Sequence, residues 1–356
     1  MSTTPIRIAI IGGGMAGASL LHALLKHPPT WTSTSSSLPL KSEKPAPRLA
    51  WRGTGRDAPP ERLHASKRLA RVERADEDGP VTLHFTDETR HECDIVVGAG
   101  GIRSTVRRGI LGERDPATNA RNAGWWAVMA LKSYADVRAS IGEGLVDIDD
   151  TREHGWVGDG AFLMHDILNE GQLVQFIISV REKEAEGSDK WYRMVSAEEI
   201  SKVYWDWPLH LKNAAEEPEQ RAIYNWEHPH ARTYVSGPIC IMGDAAHATT
   251  PFQGSGCGMS FEDALILYTL LGGSKTPAEA LVDLQVYDQV RRPRTQRIVE
   301  SSRNTGRIIT GEGEGIGLDL ENPRQGQLPR WDFIIDFDNV NARDESVEMM
   351  IAELAK

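Results

Sequence analysis

The chain has 356 residues, 40% apolar and 26% charged, enough for two domains or one large α/β domain with an inserted lobe. A formal charge of −11 argues against a general nucleic-acid binder, which needs a basic face, and no apolar run is long enough for a membrane span. The three cysteines, Cys93, Cys240 and Cys257, are too far apart for a zinc cluster or a disulfide framework, so a reducing, cytoplasmic location is expected.

Ile6 to Ile11 is apolar with one interruption, the pattern of a strand covered on both faces. A glycine-rich turn follows, and Ala18 to Lys26 has helical periodicity. His27 to Pro60 is rich in Ser, Thr and Pro and reads as loop or disorder. Lys67 to Arg74 and Val81 to Phe85 read as paired strands. Asp94 to Val97 is a further strand, and Arg103 to Leu111 a helix. Trp125 to Leu131, Trp156 to His165 and Leu173 to Val180 read as strands of a second lobe. Trp191 to Asn213 is helical in parts, broken at Trp205 to Pro208. Helices are expected at Ser260–Leu271, Pro277–Val290, Pro293–Ile308 and Glu345–Leu354, with a flexible Gly311 to Gly317 between the last two.

Two glycine-rich corners carry the chemistry. Gly12-x-Gly14-x-x-Gly17 follows a strand and opens a helix. Gly12 allows the tight turn, Gly14 the close approach of a pyrophosphate, and Gly17 the packing of helix on strand. The second corner starts at Ile239, where an apolar run ends in Gly243-Asp244 and passes through Pro251 to Gly254, Gly256 and Gly258. An acid there can accept a ribose hydroxyl, and bare N–H groups at a helix start can face electron-rich ligand oxygens. The first corner lacks its usual partner, a ribose-binding acid about 20 residues further on. Glu43 is the nearest acid, and a solvated loop charge is its plainer reading.

Four blocks carry a resemblance: IAIIGGGMAGASL, CDIVVGAGGIRSTVRR, ICIMGDAAHATTPFQGSGCGMSFEDA and YDQVRRPRTQRIVESSRNTG. With them the chain resembles the group A flavin-dependent aromatic hydroxylases, most of all the fungal salicylate-hydroxylase branch. The resemblance implies an α/β fold in which a Rossmann-type FAD-binding domain is interleaved with a β-sheet substrate lobe, as in para-hydroxybenzoate hydroxylase. The FAD domain would take residues 1–124, with 27–60 as loop or disordered, and 236–310. The substrate lobe would take 125–235, and a tail and helix 311–356. The reaction implied is hydroxylation of a small aromatic, phenolic or polyketide substrate. NAD(P)H is the transient reductant, O2 the oxidant and a flavin C4a-hydroperoxide the oxygen donor.

Carried over by position, Gly12, Gly14 and Gly17 would line the pyrophosphate. Gly243 and Asp244 would bind the ribitol or phosphate side, and Gly254, Gly256 and Cys257 would present backbone N–H groups to the isoalloxazine. Arg103 and Arg107 would lie beside the phosphates or brace the motif, with surface charge as the other reading. Arg48, in PAPRLAW, would stand for an arginine on the flavin side. The chain departs from the family in three places: the second strand and its acid are absent and the chain is shorter between Gly17 and Gly98, Gly100 replaces a central Asp, and the flavin-side arginine finds only Arg48, in a poor local match.

No catalytic residue is assigned. His247 reads as fixing its turn or moving a proton. His165, taken at a strand end, reads as facing substrate or as solvated. Met129 and Asp166 stand where some relatives hold a phenolate with Arg and Tyr, so that device is not expected. Pro251 would shape the pocket, tryptophans such as Trp125 and Trp156 would line it or fill core, and Arg291 to Arg294 would brace a turn between two helices. The rival reading is a catalytically lapsed relative acting as a binding or accessory protein, or an incomplete gene model.

Overall fold

The computed structural model of the protein describes residues 6–26, 64–74, 76, 79–142, 144, 146–150, 152–208, 211–212, 220–318, 326 and 328–356. In chain order its first elements are β1 (Ile8–Ile11), α1 (Met15–Lys26), β2 (Leu69–Arg74), β3 (Val81–Phe85), β4 (Arg90–Cys93), β5 (Ile95–Gly98) and α2 (Thr105–Leu111). A second group follows: β6 (Arg121–Ser133), α3 (Tyr134–Ile141), β7 (His154–Val157), β8 (Ala161–Leu168), β9 (Leu173–Arg181), β10 (Tyr192–Val195), α4 (Ala197–Val203) and β11 (Gln220–Glu227). The chain then returns through β12 (Val235–Ser236), β13 (Ile239–Ile241), α5 (Gly256–Leu271), α6 (Pro277–Ile309) and α7 (Asn339–Leu354).

Three sheets result. The first has the order β1-β5-β13-β12, with β1, β5 and β13 parallel and β12 antiparallel. Its middle strand β5 is buried throughout, because strands flank it and apolar side chains pack on both faces. β1 is only half-buried, and β5 is its single strand neighbour among the described residues, so the expected cover on both faces is not met there. The second sheet is antiparallel with the order β10-β11-β6-β9-β8-β7, and the third is the small meander β2-β3-β4. The Ser/Thr/Pro-rich segment 27–60 lies outside the described residues.

Two buried clusters hold the chain together. One joins α1, β5, β13, α5 and α6 through residues such as Leu20, Val97, Ile241, Leu267 and Tyr287. The other closes one face of the six-stranded sheet: Trp126, Val128, Leu163 and Phe176 pack against Val137 of α3 and Ile200 of α4. Strand period puts Trp125, Met129 and Leu131 on the opposite face of β6. Trp125 is buried edge-on against Phe252, while Met129 and Leu131 are 68% and 60% exposed.

Several expected elements differ. Trp156 to His165 is not one strand but the β7–β8 hairpin, turned by Gly158-Asp159-Gly160, with Gly160 at φ +71° and the Gly158 N–H donating to Ala161. The two helices expected on either side of Pro293 are one 33-residue helix, α6. A proline inside a helix costs about 3 kcal/mol. Arg291 and Arg294 offset it by tying α6 to α5 on both sides of the proline. Arg291 to Arg294 therefore brace within a helix, not between two. Trp191 to Asn213 includes β10 as well as α4. α3 and β11 give too short or too polar a pattern to stand out from sequence. No helix among the described residues is long and apolar enough to cross a membrane.

Candidate functional site

The two glycine corners meet. Gly12 has φ +122°, and a Cβ there would lie 2.2 Å from the Ala99 carbonyl oxygen; a Cβ on Gly17 would lie 2.1 Å from that of Gly12. Both are glycine because the turn is pressed against the end of β5 and folded onto itself. Gly14 differs: nothing lies within 4 Å of a Cβ built on it, and it faces open space. Across that space, the Sγ of Cys257 is 3.4 Å from the Sδ of Met15, although the two residues are 242 positions apart.

Between the corners lies a cleft of about 390 Å³. Gly14 and Met15 form one wall, Ala99 and Gly101 the floor, and the segment from Asp244 through Pro251 to Cys257 the other wall. α5 opens onto this cleft with glycines. Among the described residues no oxygen accepts from the N–H groups of Gly256, Cys257 and Gly258, and no side chain caps the helix. Such donors, at the positive end of a 16-residue helix, suit an anionic or carbonyl oxygen. Gly254, at φ +63°, turns the chain into position.

Asp244 is exposed within an otherwise buried run, and its carboxylate has no hydrogen-bond partner among the described residues. The frame behind it is closely packed and hydrogen-bonded. A Cβ on Gly243 would meet that of Ala16 at 2.6 Å, and the Gly243 N–H donates to Asp263 Oδ2 at 2.9 Å. His247 Nε2 lies 2.7 Å from the same oxygen, and Arg291 Nε donates to Oδ1 at 2.8 Å. Burial alone would raise the Asp263 carboxyl, but His247 and Arg291 hold it well below the usual range. His247 is fully buried in this network and fixes the turn.

Arg107 is buried and braces the same segment. Its Nη1 donates to the carbonyls of Ala245 and Ala246 at 3.0 and 2.7 Å, and its Nε to Ala117 at 2.8 Å. Burial pushes its guanidinium down to about 10. Arg103 does not line the cleft. It lies 3.9 Å above the ring of Trp191, which stacks on Trp226 at 4.0 Å. Gly100 is not forced by packing, since a Cβ there would find its nearest neighbour, Ser104 Oγ, at 3.7 Å, an ordinary contact. Arg48 and Glu43 lie outside the described residues.

His165 is not at a strand end. It sits within β8, 1% exposed, stacked on Trp156 at 4.9 Å and His154 at 5.1 Å, on the face covered by α3 and α4. Burial pushes its imidazole down to about 4, so it is neutral at ordinary pH and part of the packing. Its neighbour Asp166 points to the open face. Thr249, Thr250 and Met15 line the cleft and were not singled out from sequence. Met15 had a signal, since it fills a variable position of the fingerprint at the mouth of the turn.

The cleft therefore suits an extended dinucleotide: open space at Gly14, unpaired N–H groups at α5, and a free carboxylate between them. Comparisons with known proteins agree. A family model described as an FAD binding domain matches residues 59–302. The 6-methylsalicylate 1-monooxygenase of Aspergillus terreus is 31% identical over 296 residues, covering 82% of this chain and 65% of that protein. Salicylate hydroxylase of Pseudomonas putida is 30% identical over 288 residues, covering 76% and 64%. The chain thus spans less than two-thirds of the length of either relative. Among solved structures, a salicylate hydroxylase substrate complex superposes with a TM-score of 0.78 at 22% identity, covering 97% of this chain and 98% of that one. The 2,6-dihydroxypyridine-3-hydroxylase of Arthrobacter nicotinovorans gives 0.63 at 16% identity, covering 90% and 96%.

Proposed function

Since this chain belongs to the FAD binding domain family, beside salicylate hydroxylase-like monooxygenases, we propose that it is an FAD-dependent monooxygenase that uses NAD(P)H and O2 to hydroxylate a small aromatic or phenolic substrate. The observation that carries this reading is the meeting of the two glycine corners on one cleft, at the 3.4 Å contact of Met15 and Cys257. On this reading residues 1–124 and 236–310 form the cofactor lobe and 125–235 the substrate lobe.

Each group in the cleft has a task. Gly12, Gly14 and Gly17 keep side chains away from a pyrophosphate. Asp244, held out by the buried Asp263 network, accepts from ribitol or ribose hydroxyls. The N–H groups of Gly256 and Cys257 hold the ring system's oxygens, and Gly243, Gly254 and Pro251 set the wall against which it lies. Bound FAD supplies the redox and oxygen chemistry; the protein supplies position, dryness and charge. The open face of the six-stranded sheet, starting where Trp125 meets Phe252, is the wall offered to the substrate.

The test is direct. Purified protein supplied with FAD should stay yellow through gel filtration and oxidise NADH or NADPH faster when a phenol is added. Protein that emerges colourless after saturation with FAD refutes the reading.

A further inference from the structure

Along the rows of Met129 and Leu131, the open face formed by β6, β9 and β8 is apolar except at Gln175 and Asp166. Across β6, β9 and β8, Met129, Ile177 and Met164 lie side by side in register. One row further on, Leu131, Gln175 and Asp166 do the same. Their common face is confirmed by Gln175, whose amide donates to Met129 Sδ at 3.9 Å. Trp125 lies on this face too, and its contact with Phe252, next to Pro251 in the cleft wall, joins the face to the cofactor site. Each row adds roughly 7 Å along the strands.

Asp166 is out of place on this surface. It is half-buried, one carboxyl oxygen is closed off from solvent, and that oxygen has no hydrogen-bond partner. Burial raises its carboxyl above the usual range. Two arginines described on the same face are remote: Arg221 is on β11, three strands away or roughly 14 Å, and Arg181 is three rows along β9 from Gln175, roughly 20 Å. Both are engaged, Arg221 over the ring of Tyr192 at 4.0 Å and Arg181 over Trp125 at 4.3 Å and with Glu186 and Glu312. A carboxyl short of solvent and distant from those cations gains from a hydrogen-bond donor and loses from a second anion.

We propose that Asp166 sets the substrate class: an aromatic ring lies on Met129, Ile177 and Met164, and a hydroxyl or amine on it donates to Asp166. Neutral hydroxylated aromatics are then taken in preference to aromatic carboxylates. The inference rests on the monooxygenase reading and adds to it a specificity-determining residue.

Resorcinol and salicylate, one neutral and one anionic, are the probes. Each is titrated into the full-length chain loaded with FAD, following the flavin absorbance, and into the FAD-free chain, following tryptophan fluorescence. Resorcinol should bind at least about tenfold more tightly than salicylate. Asp166→Leu, which keeps the shape but not the acceptor, should weaken resorcinol by about tenfold. Asp166→Asn, whose amide oxygen still accepts, should hold resorcinol within about threefold while binding salicylate more tightly than the parent. The KM for resorcinol should move with these affinities and kcat should not, a split that a merely structural loss would not give. If the parent binds salicylate as tightly as resorcinol, or if both variants keep the parent's preference, the inference fails while the monooxygenase reading stands. If the chain takes up no FAD, both fall.

Discussion

Asp244 is a single exposed carboxylate on a buried scaffold, which makes binding and folding separable at this position. Asp244→Ala removes no intramolecular hydrogen bond among the described residues, so stability should change by less than about 0.5 kcal/mol. FAD affinity should fall by about tenfold or more, the worth of a charged hydrogen bond. Thermal melts and FAD titration check the two halves. Asp263 behaves in the opposite way: it is fully buried and touches no solvent, yet it fixes Gly243 and His247. Arg291→Ala would strand its charge and should cost about 3–5 kcal/mol, seen as a large drop in the urea midpoint. Gly12, Gly17, Gly243 and Gly254 were legible in the sequence as turn residues because part of what each needs is local: a positive φ at Gly12, Gly243 and Gly254, and at Gly17 a close approach to the Gly12 carbonyl. His165 was misplaced because a strand's two faces cannot be told apart until its partners are known, and one position separates the packed His165 from the open-facing Asp166.

Helix and loop boundaries show the same limit at the next scale. Pro293 predicted a break, yet α6 runs through it, and the ion pairs that tie it to α5 there join residues about 30 positions apart, beyond the reach of any local pattern. The β7–β8 turn was readable from Asp159-Gly160, a hairpin signal hidden within a long apolar run. The start of α6 also carries a pH response. Asp283 is fully buried, accepts from Ser274 in the preceding loop, and has its other oxygen unpartnered. Burial, partly opposed by Ser274, pushes its carboxyl up to about 7. The folded state therefore binds a proton that the unfolded state has released, and stability falls as pH rises from about 4 to about 7 before levelling. The slope is at most about 1.4 kcal/mol per pH unit for this one group. Asp283→Asn should flatten it: the loss of stability between pH 5 and pH 8, measured by urea unfolding, should be smaller in the variant by about 1–2 kcal/mol.

At the scale of the whole molecule, the region of the parallel sheet and the six-stranded sheet are joined by side chains as well as by the chain. Arg103, between β5 and α2, lies over Trp191, which stacks on Trp226 of the six-stranded sheet. Arg103→Ala should cost about 0.5–1 kcal/mol and shift the tryptophan emission, with FAD affinity changed far less than by Asp244→Ala. The FAD-binding α/β fold class was legible through the family resemblance. The clasp was not, because nothing in the local pattern pairs an arginine after a glycine turn with a tryptophan 88 positions later. The contact of Met15 with Cys257 has one more consequence. Cys93 and Cys240 are shut away in strands, so the half-exposed Cys257 is the thiol that an alkylating reagent reaches first. A maleimide dye would therefore mark the mouth of the cleft without any engineered handle, slowly because burial raises that thiol, and more slowly still once the cleft is filled.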